Sequence, residues 1–358
     1  MLFRSAADPQ PTGIGIYSQR LIHSLGALAA DAAPPAPRFV LAFRPGPYFR
    51  HARGLPWPEN FRIAPLLDKW ITWPRARLFH GLNQRLPERR YARTVVTLHE
   101  RFPAPSDGYS TAEFRAFMSR RIERALQRAD LIIAVSHSVK EHLAAARPQH
   151  AEKIRVVHHG VDAASAVDEP QRLALLRDRL KLDPAAPFFL NVGAVQVRKN
   201  LKNLLLALQP LRDMHLVIAG NDGYGAKEIH DFVTHQHLAA RVHFVCHQQA
   251  ADLRLLYASA AALVFPSLEE AFGMPILEAM ACGCPVITSN VSAMPEVAGD
   301  AALLVNPQSV NDLSNAMQRV LADSALSAEL RQRGTVRAKE FSWEKCARET
   351  WAIYQELL

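Results

Sequence analysis

Residues 265–307, FPSLEEAFGMPILEAMACGCPVITSNVSAMPEVAGDAALLVNP, decide the reading of this chain. Glu270 and Glu278 stand on either side of a stretch that opens with AFGMP. A wholly helical segment would put both carboxylates on one face, roughly two turns apart. Pro275 and Gly273 argue against that, because proline is tolerated in a helix only in its first turn. The segment therefore reads as a loop carrying Glu270 through Phe272 and Gly273, followed by a helix that starts near Pro275 and holds Glu278 in its first turn. The free N–H groups and positive end of such a helix suit an anion. Phe272, Gly273 and Met274 can bring backbone N–H groups close to a phosphate, and Glu278 can accept hydrogen bonds from hydroxyls of the same ligand. A site that grips phosphate with backbone and sugar hydroxyls with carboxylates is a nucleotide-sugar site.

Upstream, the chain alternates short apolar runs with amphipathic stretches, the pattern of doubly wound α/β domains. TVVTLHE (94–100), DLIIAVS (130–136) and KIRVVHHGVD (153–162) read as strands. Between them lie an Arg-rich helix over 112–128 and a second helix capped by Ser136 or Ser138. A charged helix over 170–182 leads to DPAAP (183–187), which reads as a hinge. The pattern then restarts with strands at 187–194, 215–220, 241–246 and 261–267, and PVITS (285–289) completes the core strands. Helices fill the gaps at 201–211, up to His237, and over 251–258. The tail 341–358, with Trp343, Trp351 and Tyr354 near one face, is an amphipathic helix.

At 358 residues the chain exceeds one ordinary core, and its 49% hydrophobic and 21% charged content is globular rather than disordered. No apolar run reaches the ~18 residues needed to span a bilayer, and the opening MLFRSAADPQPTG reads as no signal peptide. Cys246, Cys282, Cys284 and Cys346 lack CxxC spacing, so reduced thiols in a cytoplasmic protein are expected and zinc is not. Residues 1–150 carry a net charge of +11 and the remainder −3. A basic half suits a pyrophosphate-bearing substrate or peripheral contact with an anionic inner-leaflet surface. Nucleic acid is not expected, since basic and aromatic residues are not interleaved on a recognisable module.

The 265–307 segment resembles the signature of retaining GT-B glycosyltransferases of family 4, PS-x-x-EGFG-x-P-x-x-EAMA-x-G-x-PV. The match runs through Pro266, Ser267, Glu270, Phe272, Gly273, Pro275, Glu278, Ala279, Met280, Ala281, Gly283, Pro285 and Val286, with Ala271 in place of a glycine. The resemblance implies a GT-B fold: two Rossmann-like doubly wound α/β domains facing a cleft, with the last helix crossing back. The expected domains are 1–182, completed by 341–358, and 187–340. GAVQVRKN (193–200) resembles the family turn whose Lys clamps the donor phosphates, which makes Lys199 and Arg198 donor-binding residues. The family's second phosphate-binding Arg falls at Ala194. Glu278 matches the residue that accepts from ribose hydroxyls, and Glu270 the one near the transferred sugar. Gly220 ends a strand beneath the donor. Gly13 and Gly15 of GIGIY resemble the loop that lets backbone approach the donor phosphate, and His99 matches a strand-end His-acid position. Glu270, His99 and Lys199 are thus the expected catalytic residues.

What the resemblance implies is transfer of a hexose, mannose from GDP-mannose, to a glycan or lipid-pyrophosphate-linked saccharide, by metal-independent front-face substitution and with no cofactor. A UDP-sugar donor and a catalytically impaired scaffold of the same fold are the alternatives. Family members place a strand before the GIG-x-Y sequence, and only twelve residues, including Pro9 and Pro11, stand there here. The expectation is a start that lies further upstream or an N-terminal sheet built differently.

Overall fold

The computed structural model describes residues 13–31, 37–50, 52–67, 73–103, 108–163, 170–183 and 186–358. The expected first strand, before Gly13, falls outside the described residues, as does Pro184–Ala185 of the expected hinge. Backbone contacts divide the chain into two units. One comprises 1–105, 112–160 and 341–358, and the other 106–111 and 161–340.

In chain order the first unit runs α1 (Gly13–Ala30), β1 (Phe39–Phe43), α2 (Pro45–Arg50), β2 (Phe61–Pro65), β3 (Leu78–Gly81), β4 (Arg93–Leu98), α3 (Ala112–Arg128), β5 (Leu131–Ala134), α4 (His137–Ala146) and β6 (Ile154–Val156). Its strands form a parallel pair, β1–β2, and a parallel four-stranded sheet in the order β3-β4-β5-β6. The sequence pattern located β4, β5 and β6 but none of β1, β2 and β3. Those three are only four or five residues long: Arg62 and His80 interrupt the apolar runs of β2 and β3, and the apolar FVLAF of β1 is too short to mark a strand by itself. α1 buries Tyr17, Leu21, Ile22, Leu25 and Ala29 at helical spacing. α4 is capped by Ser136, whose hydroxyl accepts from the Val139 N–H at 3.1 Å.

The second unit runs α5 (Pro170–Arg179), β7 (Phe188–Val192), α6 (Leu201–Leu208), β8 (His215–Ala219), α7 (Ala226–His235), β9 (Val242–Val245), α8 (Ala250–Ser259), β10 (Leu263–Phe265), α9 (Met274–Ala281), β11 (Val286–Ser289), α10 (Met294–Ala298), β12 (Leu303–Val305), α11 (Val310–Ala322) and α12 (Ser324–Ala338). Six parallel strands take the order β12-β11-β10-β7-β8-β9. The core sets Leu201, Leu204, Leu205 and Leu208 of α6 against Leu216 and Ile218 of β8, with Ile229, Val233, Leu313 and Met317 from the helices around them. The spacing of the four leucines is that of one helix face.

Three expectations need correction. PVITS is not the last strand: β12 pairs beyond β11, and its exposed Leu304 and half-buried Leu303 mark it as an edge that periodicity alone does not reveal. The α6 helix stops at Leu208 rather than Leu211. The division between units falls at Gly160–Val161, so α5 lies in the second unit. There Arg172 and Arg179 reach Asp252 of α8 at 3.3 and 2.6 Å. The last helix, α13 (Trp343–Gln355), belongs to the first unit, where it packs on α1 and buries Trp343, Cys346, Ala347, Thr350, Ile353 and Tyr354.

Candidate functional site

In the second unit the chain winds outward from β7 to β8 and β9, then returns to the other side of β7 with β10. Ligands of open parallel sheets bind beyond the carboxyl ends of the strands at such a reversal. The loop after β7 carries Gly193–Asn200 and the loop after β10 carries Pro266–Gly273, so both sequence motifs meet at one place. A backbone bond from Leu268 N–H to the Arg198 carbonyl, 2.9 Å, joins the two loops directly.

Lys199 ends a short 3-10 turn, Val197–Lys199, and Asn200 follows in the left-handed conformation at φ 57°. The Asn200 side-chain amide donates to the carbonyls of Pro266 at 3.1 Å and Pro307 at 2.6 Å. This buried amide pins the turn to the ends of β10 and β12 and so aims Lys199. The Lys199 ammonium lies 2.7 Å from Glu270 Oε1 and 4.3 Å from the centre of the Phe265 ring. Arg198 Nη1 stands 2.9 Å from Glu270 Oε2 and also donates to the Glu269 carbonyl. The Glu270 N–H in turn donates to the Ser292 hydroxyl at 3.0 Å.

Burial alone would raise the Glu270 carboxyl, but Lys199 and Arg198 outweigh it and hold the group at about 2. Burial lowers the Lys199 ammonium, with Glu270 opposing and Arg198 adding to the effect. Two cations around one carboxylate leave the triad with a net positive charge aimed at the strand ends. A carboxylate already bridged by two cations is a poor ligand for a metal ion and a good brace for an anion-binding lysine.

Gly273, at φ 106°, caps the start of α9, where a side chain would be strained. Pro275 has no N–H and the Ile276 N–H bonds to the Gly273 carbonyl, so Gly273 and Met274 are the donors this helix start can present. The Phe272 side chain is buried, which leaves only its backbone for a ligand. Glu278 is the fifth residue of α9, not part of its first turn. Tyr257 of α8 donates its hydroxyl to Glu278 Oε2 at 2.9 Å. Burial raises the Glu278 carboxyl, the Tyr257 bond lowers it, and Asp162 adds to the rise. Ala271, the replacement for the family glycine, has no positive φ and therefore costs no backbone strain. A Cβ on Gly220 would stand 2.0 Å from the Gly193 carbonyl oxygen, so that glycine permits the β7 and β8 loops to touch.

The first unit gathers a different set. His99, at the end of β4, is buried and its Nε2 lies 2.7 Å from the Leu82 carbonyl, so Nε2 carries the proton and Nδ1 is an acceptor. The Tyr17 ring meets His99 edge-on at 4.7 Å, and His159 stacks on His99 at 5.4 Å. Burial lowers His99 to about 4, the Leu82 bond only partly opposing, so it is neutral at pH 7. Beneath it a hydrogen-bonded chain runs from Tyr17 OH to Thr97 Oγ1 at 3.0 Å, on to His80 Nε2 at 2.8 Å, and from His80 Nδ1 to Tyr354 OH at 2.6 Å. Burial pushes His80 down to about 3. Gly13 and Gly15 are not in a loop: both lie in the first turn of α1, Gly13 exposed and Gly15 buried.

Comparison with known proteins agrees with this architecture. The family described as Glycosyl transferases group 1 matches residues 174–339, and Glycosyltransferase Family 4 matches residues 19–165. O-antigen chain mannosyltransferase B of Escherichia coli is 30% identical over 298 residues, 78% of this chain and 74% of that protein. The chain belongs to the family 4 glycosyltransferases. Among solved structures, sucrose-phosphate synthase from Thermosynechococcus elongatus superposes with a TM-score of 0.78 at 25% identity, covering 99% of this chain and 98% of that one. HepE of Anabaena, solved with UDP and glucose, gives 0.72 at 17% identity over 99% and 98%. The fold of this glycosyltransferase is therefore GT-B. The sequence alone assigns no site role to Tyr257, Asn200, Tyr17, Thr97, His80 or Tyr354. Tyr17 lies inside GIGIY and Asn200 ends GAVQVRKN, but neither motif assigns them a role. The others read as ordinary core or cap residues.

Proposed function

We propose that this glycosyltransferase transfers a hexose from a nucleotide-diphosphate sugar to a hydroxyl of a glycan or lipid-linked saccharide, with retention of configuration, and that the donor is GDP-mannose. The observation that carries the reading is the Lys199–Glu270–Arg198 triad at the sheet's switch point, with Glu278 on the adjoining helix. When the sugar–phosphate bond breaks, negative charge develops on the departing diphosphate. Lys199, held by Glu270 and Asn200, meets that charge, and Arg198 supplies the second cation that Ala194 cannot. The N–H groups of Gly273 and Met274 add a helix-end contribution. This set needs no metal ion, and the departing phosphate itself takes the acceptor's proton. Glu278 accepts from the ribose hydroxyls. His99 Nδ1, an acceptor on a neutral ring, suits a hydroxyl of the transferred sugar rather than proton donation.

Mannose rests on the Escherichia coli relative, whose name is that of a mannosyltransferase. A UDP-sugar donor is the second reading, favoured by HepE, solved with UDP and glucose. Among the described residues no helix is long and apolar enough to cross a membrane. The +11 charge of residues 1–150, and the exposed Phe114 and Phe117 on the Arg-rich α3, suit a lipid-pyrophosphate acceptor at an anionic bilayer surface.

A thermal-shift panel of nucleotide sugars tests the proposal. GDP-mannose should stabilise the protein most, by about 3 kcal/mol at ligand near a hundred times Kd. Stabilisation by UDP-sugars alone moves the donor to the second reading, and no response to either GDP or UDP overturns transferase activity.

A further inference from the structure

Glu278 is half-buried on α9, and a carboxylate in that setting has two oxygens to satisfy. The Tyr257 hydroxyl takes one of them, Oε2, at 2.9 Å. Tyr257 itself is 1% exposed on α8, which packs on α9. Burial confines its ring, so the phenol is a well-placed donor to the carboxylate. A carboxylate held through one oxygen loses rotation about its last bond, and Oε1 is the oxygen that the Tyr257 bond leaves for a ligand.

We propose that Tyr257 is a positioning residue for Glu278: by occupying Oε2 it presents Oε1 to the ribose hydroxyls, and it thereby sets the preference for ribonucleotides over deoxyribonucleotides. The inference rests on the nucleotide-binding reading of the second unit. A buried hydroxyl donor does two things for such a carboxylate. It orients the group, and it stabilises the ionised form against desolvation. The charged and titratable groups that face Glu278 are Tyr257 on α8, Asp162 in the segment that opens the second unit, and Cys282 just past the end of α9, with Arg254 of α8 beside Cys282. Asp162 and burial both favour the protonated acid, and Tyr257 opposes them. Removing the phenol therefore raises the pH below which Glu278 stops accepting from a hydroxyl.

The test measures binding of GDP, UDP and their 2′-deoxy counterparts from about pH 5 to 8, in the wild type, Tyr257→Phe, Glu278→Gln and the double variant. In Tyr257→Phe the ribo-over-deoxy ratio should fall about 10-fold, the value of a hydrogen bond to a charged group. The acid-side loss of affinity should also move to higher pH. In the Glu278→Gln background Tyr257→Phe should change the ratio no further, because it acts through the carboxylate. A merely structural tyrosine would lower the melting temperature and weaken all four nucleotides alike, with ratio and pH profile unmoved, and that outcome overturns the proposal while leaving the site in place. A wild type that binds none of the four overturns the site reading and the proposal with it. Should Tyr257→Phe fold poorly, the wild-type titration still decides: an acid limb that persists in Glu278→Gln is not set by this carboxylate, and the proposal fails.

Discussion

The two units solve the same problem, burying polar groups at the carboxyl ends of parallel strands, in opposite ways. The first unit keeps its set neutral: Tyr17, Thr97, His80 and Tyr354 form a hydrogen-bonded chain, and the uncharged His99 and His159 rings stack beside it. The second unit keeps its set ionised, with Glu270 gripped by Lys199 and Arg198. A neutral chain has no charge to attract an anion, whereas an ion cluster with net positive charge does attract one. The difference fits the proposed place of the diphosphate on the second unit.

Acid should separate the two most strongly. His99 and His80 have folded values of about 4 and about 3 against an ordinary 6.5. Below pH 6.5 the unfolded chain binds protons that the fold refuses, so their stabilisation falls as pH drops from 6.5 toward 4 and 3. Each is worth on the order of 3–5 kcal/mol by linkage. Glu270, at about 2 against 4.5, keeps its contribution down to pH 4.5 and loses on the order of 3 kcal/mol only between 4.5 and 2. Hydrogen exchange resolved by peptide should therefore show the first unit opening at a higher pH than the second. The reverse order breaks the comparison.

Lys199→Ala comes next. Turnover should fall by about 10³-fold, as for loss of a charge-stabilising donor, and GDP and UDP affinity should both weaken. If both affinities survive in calorimetry, the diphosphate does not sit on this triad. His99→Ala should cost about 10²-fold in turnover while leaving nucleotide affinity within about 2-fold, because its work is on the sugar. An equal loss of nucleotide affinity would erase the division of labour between units. Tyr17→Phe is the mildest change: it removes one buried hydrogen bond to Thr97, and its melting curve should report a loss of about 1 kcal/mol with nucleotide binding unchanged.

Much of the second unit was legible because its signals are local. The Glu270–Glu278 segment carries its loop and helix start in a few consecutive residues, and Gly273 and Pro275 fix the boundary by backbone sterics. The leucines of α6 announce their face by spacing alone. The first unit was less legible. β1, β2 and β3 are only four or five residues long, and the chain Tyr17–Thr97–His80–Tyr354 joins four elements that no sequence window spans.

By itself the sequence determined the alternation of strands and helices, the phosphate-friendly turn after β10 and the family to which it points, since these depend on neighbours a few residues apart. Only the tertiary structure decided that Lys199 and Arg198 clamp Glu270 from a distant loop, that Tyr257 holds Glu278, and that burial holds His80, His99 and His159 neutral. Those outcomes depend on burial and on charges brought together by strand order, and neither quantity exists until the sheets have formed.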